Sequence, residues 1–268
     1  MSDAAPVWLY ALTLNETRML GFFLRHYEDW VDRFIFYDDG STDDTVEILR
    51  AHPKAEMRRF ERLDPSSFVE SSRLWQNSVW KEARGQAAWA VITALDEHLY
   101  HPRMPAYLEA CRTAGVTAIP ALGFHMISDL VPPNGAWLAE TCRTGMPHEE
   151  MSKLSLLDPD AVTETNFRHG RHVAKPEGRV VYPEVDELYN LHYKFIDKEY
   201  LRARHRLLRK GLRDGDVSNG FGEHYDWTDE EFEAKWQAVR RSAIDYRDPS
   251  VGFSTHTDRW WRGVRFRG

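Results

Sequence analysis

Cysteine is nearly missing from this chain, with two residues, Cys111 and Cys142, among 268. Their spacing suits no metal motif and supports no disulfide framework, so they fit plain packing or a reducing compartment. Long apolar runs are missing as well, and none approaches the roughly 20 residues of a membrane-spanning helix. At the N-terminus, Met1-Ser2-Asp3-Ala4-Ala5-Pro6, no basic segment precedes an apolar one, so no signal peptide is expected and a cytoplasmic protein is the default. Positive charge is not in excess. The formal net charge is −7, which argues against a general nucleic-acid binder. Internal repeats and low-complexity tracts are absent, and no glycine-rich phosphate loop follows the first apolar segment. That last absence counts against a nucleotidyltransferase.

What is present is ordinary globular material, 42% hydrophobic and 29% charged, of a length for one large α/β domain or one domain with an appendage. Ten tryptophans are many. They suit sugar-binding aromatic faces and equally suit core and surface packing. Residues 8–14 form a nearly continuous apolar run that predicts a strand buried on both faces. Asn15-Glu16 stops it. Residues 17–29 read as a helix with Met19, Leu20, Phe23, Leu24 and Tyr27 on one side. A strand over 34–37, an acidic turn, a helix to about 51 and a strand over 56–60 follow. This alternation predicts the start of a parallel, doubly wound sheet.

Further on, the pattern predicts a helix over 72–85, a buried strand over 88–95 and a helix over 104–114. Another strand begins at 117. Residues 131–178 are irregular and read as loop-rich. A strand over 188–191 leads into His192-Tyr193-Lys194, and a charged helix spans 197–211. Thr228 and Glu231 form a capping box that opens a helix to about 244. The C-terminal tail is rich in arginine and tryptophan.

Three places carry candidate chemistry. In the turn Asp38-Asp39-Gly40-Ser41-Thr42-Asp43, carboxylates at a strand end can accept hydrogen bonds from a nucleobase N–H or ribose hydroxyls, and Gly40 permits a tight turn. Ser41 and Asp43 also suit the role of helix caps. Asp96-Glu97-His98 again follows a buried strand. Carboxylates there can hold a hard divalent cation, and a solvated loop of charges is the other reading. Third, His192 can complete a metal shell and Lys194 can reach a diphosphate oxygen, although a lone histidine is commonly structural. His169, His172 and His224 match no standard zinc spacing. They fit the lining of a site or plain loops.

The motifs together resemble the family 2 glycosyltransferases. Asp38-Asp39-Gly40-Ser41-Thr42-Asp43 matches the family's D-D-G-S-T-D residue for residue. Leu12-Thr13-Leu14-Asn15-Glu16 is similar to its P-T-x-N-E segment, with leucine for proline. Asp96-Glu97 falls at the metal-binding D-x-D signature. The branch it resembles is a bacterial one reading D-x-D-E-F-L and, later, H-Y-K. Laid on that pattern, the first aspartate falls on Ala94, one carboxylate fewer than the family's set. The likeness covers about residues 7–125 well and reaches more loosely to about 225.

The resemblance implies a GT-A fold, a mostly parallel Rossmann-like α/β sheet flanked by helices. A donor half would span about 7–125 and a loop-rich acceptor half about 126–225. A helical extension with the Arg/Trp tail would follow over 226–268. It implies an inverting transfer of a sugar from a nucleoside diphosphate, uridine diphosphate by expectation, to a glycan or lipid-linked hydroxyl. Polysaccharide biosynthesis is the expected setting. Thr13, Leu14 and Glu16 would line the base pocket. Asp38 or Asp39 would contact base or ribose, and Gln76 and Lys194 the donor. Asp96 and His192 would hold Mn2+ or Mg2+, with Asp96 and Glu97 at the reacting centre. Asp129, Glu149 and Glu150 are the candidate general bases, the family's E-D pair being absent. The tail suits an anionic interface, hence a peripheral place at the inner membrane face. Covering a core patch or meeting a partner are its other readings. The missing carboxylate at Ala94 keeps a non-catalytic nucleotide-sugar-binding protein as the rival function.

Overall fold

The computed structural model describes residues 5–248, 255–256 and 259–263. In chain order the first elements are β1 (Val7–Thr13), α1 (Thr17–Tyr27), β2 (Arg33–Asp38), α2 (Thr45–Ala51), β3 (Ala55–Arg59) and α3 (Phe68–Ser78). Next come β4 (Trp89–Thr93), β5 (Glu97–Tyr100), α4 (Met104–Thr113), β6 (Ala118–Pro120), β7 (Leu122–Ser128) and α5 (Leu138–Thr141). The middle holds β8 (Thr144–Pro147), β9 (Leu154–Leu157), β10 (Val162–Glu164) and β11 (Glu177–Gly178). The last are β12 (Tyr189–Ile196), α6 (Lys198–Gly211), α7 (Asp214–Ser218), α8 (Asp229–Arg241) and β13 (Ile244–Asp245).

The expected α/β architecture is present. One sheet runs β3-β2-β1-β4-β9-β6, with the first four strands parallel and β9 antiparallel to both its neighbours. Its two faces carry separate cores, which is why its central strands are apolar on both sides. Leu9, Phe34 and Phe36 pack on one face with α1 residues Leu20, Phe23 and Tyr27. On the other, Tyr10, Ile35 and Ile92 meet Trp75 and Trp80. Each such large side chain, fully buried, contributes about 1.5–3 kcal/mol.

A second sheet was not anticipated. It runs β13-β8-β7-β12-β5, with β7 and β12 parallel and the other pairs antiparallel. The stretch read as loop-rich supplies β8, β9, β10 and β11. Only Asp96 stands in the connection after β4, since Glu97 and His98 already belong to β5 and cross into this second sheet. Helix α3 starts earlier than predicted because Ser67 caps it, its Oγ accepting from Glu70 N at 2.9 Å. It gives way to a 3-10 turn over Val79–Ala83.

The predicted capping box is formed. Thr228 Oγ1 accepts from Glu231 N at 3.2 Å, and Glu231 Oε2 accepts from Thr228 N at 2.8 Å. Through Phe232, Trp236 and Val239, α8 packs on Ile127 and Phe195 of the second sheet, and β13 joins that sheet's edge. Both cysteines are free and buried. The described part of the tail is docked inward. Trp261 Nε1 donates to Asp186 Oδ1 at 2.9 Å, and Arg259 and Arg262 each reach the same carboxylate within 2.8 Å. Those arginines are thus held by Asp186, while Arg265, Phe266 and Arg267 lie outside the described residues. No helix among the described residues is long and apolar enough to cross a membrane.

Candidate active site

The two N-terminal motifs are stitched together at the carboxyl ends of β1 and β2. Asn15 sits in the left-handed region (φ 52°), which asparagine tolerates better than most residues. Its Oδ1 accepts from Thr42 N at 2.7 Å and Asp43 N at 3.2 Å, and its own N donates to Ser41 Oγ at 2.9 Å. Glu16 N and Thr17 N donate to Thr45 Oγ1 and Asp43 Oδ2. Within the acidic turn, Asp38 accepts from Gly40 N and Ser41 N. Gly40 has φ +90°, which a side chain would strain. Asp38 therefore closes the turn, while Asp39 faces a cavity with its carboxylate forked by Arg62 (Nε 3.0 Å, Nη2 2.6 Å).

That cavity, about 300 Å3, opens at the strand ends where α/β sheets bind ligands. Thr13, Leu14, Glu16, Asp39, Gln76 and Asp96 all line it. Thr13 Oγ1 and Gln76 Oε1, on two of these lining residues, are buried without a hydrogen-bond partner among the described residues, so their hydrogen-bonding capacity is unused. Glu16 is buried against Arg204, which also donates to Leu14 O at 2.9 Å. Burial pushes the Glu16 carboxyl up to about 7 against the pull of Arg204.

The cavity continues into a wider compartment of about 610 Å3, where His125, Glu150, His192, Lys194, Tyr200 and Trp227 stand in the wall. Asp96, Lys153, Arg204 and Tyr225 line both compartments. Strand pairing explains much of the junction. His192 is the register partner of Glu97 on one side and His125 on the other, so the three share a row across β5, β12 and β7. His192 Nε2 lies 3.2 Å from Asp96 Oδ2, and its Nδ1 lies 3.1 Å from His125 Nδ1. Burial raises the Asp96 carboxyl, but His192, Arg204 and Lys153 outweigh it and hold it well below the usual carboxylate range.

Glu97 is placed differently from the expectation of a reacting group. It is buried, with Oε1 accepting from Lys153 Nζ at 2.7 Å and Oε2 from Arg171 Nη2 at 2.5 Å. Burial opposes ionisation, yet these two cations bring its pKa down to about 2. Arg171 is fixed in turn by Ile92 O and Ser155 Oγ. Both Glu97 oxygens are therefore engaged. With alanine at 94, Asp96 and His192 are the donors left for a metal, and no cluster of three or more His, Cys, Asp or Glu among the described residues is arranged to hold one. The residues present do not fit a complete divalent-cation shell.

Asp129 lies outside both compartments, exposed and paired with Arg240. Glu150 lines the wide compartment, and its carbonyl accepts from His172 Nδ1 at 2.7 Å. Glu149 stands beside it in a 3-10 turn, outside that lining. His172 and His224 line the wide compartment, whereas His169 pairs with Glu70 at 3.0 Å elsewhere. Burial lowers Lys194 to about 8, with Asp96 opposing. Sequence reasoning missed Lys153, Arg171, Arg204 and His125. One signal was available, since Lys153 is a single charge in the otherwise apolar and hydroxyl run Met151–Leu157.

No family model matches the chain, and no curated protein matches it. Among solved structures, it is similar to glucosyl-3-phosphoglycerate synthase from Mycobacterium tuberculosis in complex with Mn2+, uridine diphosphate and glucosyl-3-phosphoglycerate. Identity is 20% over 44% of this chain and 44% of that one, with a TM-score of 0.31. It is similar also to S. aureus TarS 1–349, at 9% identity over 76% of this chain and 64% of that one, TM-score 0.39. A second S. aureus TarS structure matches at 10% identity over 57% and 28% of the two chains, TM-score 0.35. The chain thus spans less than two thirds of each. These likenesses are distant, and the reading of function below stands on the residues of the cavity.

Proposed function

We propose that this chain is a glycosyltransferase that moves a sugar from a nucleoside diphosphate, in the first instance uridine diphosphate, to a hydroxyl acceptor with inversion. The observation that carries the proposal is the convergence of Thr13, Glu16, Asp39, Gln76 and Asp96 on one cavity that holds unpartnered polar atoms. Asp39 accepts from the base or ribose, and Thr13 and Gln76 supply further hydrogen bonds. The sugar extends toward Asp96. The acceptor, a glycan or lipid-linked hydroxyl, enters the wide compartment, where Tyr200, Tyr225 and Trp227 offer aromatic faces. Its oxygen attacks the anomeric carbon as the bond to the diphosphate breaks. Glu150 takes the hydroxyl proton, a role supported by its place in that wall. The Mn2+ or Mg2+ implied by the family likeness would have only Asp96 and His192 as its donors here, so no step is drawn through it.

The test is turnover of a uridine-diphosphate sugar panel, with and without simple glycoside acceptors, by wild type and Glu150→Gln. A loss of about 10²–10⁴-fold in kcat at little-changed donor KM is expected for Glu150→Gln. Unchanged kcat would remove Glu150 from the role. A second reading, a nucleotide-sugar-binding protein without turnover, is favoured by Ala94 and by the closure of Glu97. Nucleoside diphosphate binding with no turnover on any donor would establish that second reading instead.

A further inference from the structure

Three cations near Asp96 have carboxylate partners. Lys153 and Arg171 hold Glu97, and Arg204 holds Glu16. Lys194 has no carboxylate within ion-pair distance among the described residues. Its ammonium stands 5.7 Å from the Trp227 ring centre and 6.0 Å from that of Phe195, in the same cavity wall as Asp96 and His192. A half-buried ammonium that has aromatic faces beside it and, among the described residues, only the more distant charge of Asp96 to offset its burial is costly unless an anion arrives to meet it. The opposite shortage holds for metal donors. Ala94 offers none, Asp96 is engaged by His192, and both Glu97 oxygens are closed by cations.

We infer that this site holds its donor's diphosphate on side-chain cations, with Lys194 as the principal contact, and not on a divalent metal ion. The inference rests on the donor reading above and specifies how that donor is bound. A departing diphosphate needs positive charge near its oxygens, and either a metal or preorganised cations can provide it. Lysine suits the second mode as a mobile point charge. Lys194 lines the compartment two residues after His192, where the register of β12 against β7 shifts, so the strand already places it in the compartment wall. Arg204 and Lys153 stand in the same junction but are already matched by Glu16 and Glu97, which makes Lys194 the principal contact among the cations.

Calorimetric titration of uridine diphosphate tests this, first in EDTA and then in excess MnCl2, with wild type, Lys194→Met and Lys194→Arg. Wild type is expected to bind in both buffers with affinities within about twofold, Lys194→Met to bind about tenfold or more weakly, and Lys194→Arg to recover most of the loss. Wild-type binding that vanishes in EDTA and returns with Mn2+ overturns the inference, and this comparison needs no variant to fold. Unaltered affinity of a folded Lys194→Met overturns it too. If uridine, guanosine, cytidine and adenosine diphosphates all fail to bind in either buffer, the donor reading itself falls, and this inference with it.

Discussion

Glu97 shows how two neighbouring carboxylates can stand in different surroundings. Two carboxylates after a buried strand look alike in sequence, yet Asp96 faces the cavity and Glu97 is enclosed by Lys153 and Arg171. A carboxylate with two buried cationic partners is structural in its energetics. Replacing it by Gln leaves two charges uncompensated, so Glu97→Gln is expected to destabilise the protein by about 3–5 kcal/mol, read by urea denaturation. A mainly catalytic role would instead leave stability near wild type while activity fell. That Thr13 and Asp39 line one cavity was legible because each lies at a recognisable strand end, while Gln76, inside α3, was named only through the family likeness. The partners Lys153, Arg171 and Arg204 were not. They lie 56, 74 and 188 residues from the carboxylates they meet, and no local pattern encodes such a distance.

At the scale of elements, β1 through β3 with α1 and α2 were readable nearly to the residue. Their signals are local: a continuous apolar run, a 3.6-residue stripe and a turn of acids and glycine. The second sheet was not readable. Strands β5 and β8 have four residues each and β13 two, too short for a period to show, and β5 and β13 find their partners, β12 and β8, far away in sequence. The stitch at Asn15 also explains why two motifs thirty residues apart belong to one device. Asn15→Ala removes the acceptor shared by Thr42 N and Asp43 N and places an alanine at positive φ. An expected loss of about 1–3 kcal/mol follows, measured by chemical denaturation. Asn15→Gly, which relieves the backbone but not the hydrogen bonds, is expected to fall between that variant and wild type.

Across the whole molecule, His26 on α1 ties the first sheet's helical layer to the second sheet. Its Nε2 donates to Leu99 O of β5 at 2.7 Å, and its Nδ1 accepts from Trp137 Nε1 at 3.1 Å. Both ring nitrogens are thus used by the neutral imidazole, and burial brings its pKa down to about 4. Below its ordinary value near 6.5 the unfolded chain takes up a proton that the folded chain refuses. The stability contributed by neutral His26 is therefore present above pH 6.5 and lost as pH falls toward 4, at up to about 1.4 kcal/mol per pH unit. Urea midpoints across that window check it, and a folded His26→Gln should show a slope shallower by about one proton. An unchanged slope would exclude His26 as the source.

Asp96, Lys153 and Arg204 stand in the walls of both compartments. A charged occupant of one is then expected to be felt in the other through these three charged side chains of the shared wall. Thermodynamic linkage makes that influence mutual, so the factor by which the first guest alters the second guest's affinity equals the factor in the reverse direction. Two anionic guests compete for the same field and repel one another's company. A charged guest and a neutral one do not. The party wall thus fixes a preference about which pairs of molecules reside side by side, before any chemistry begins.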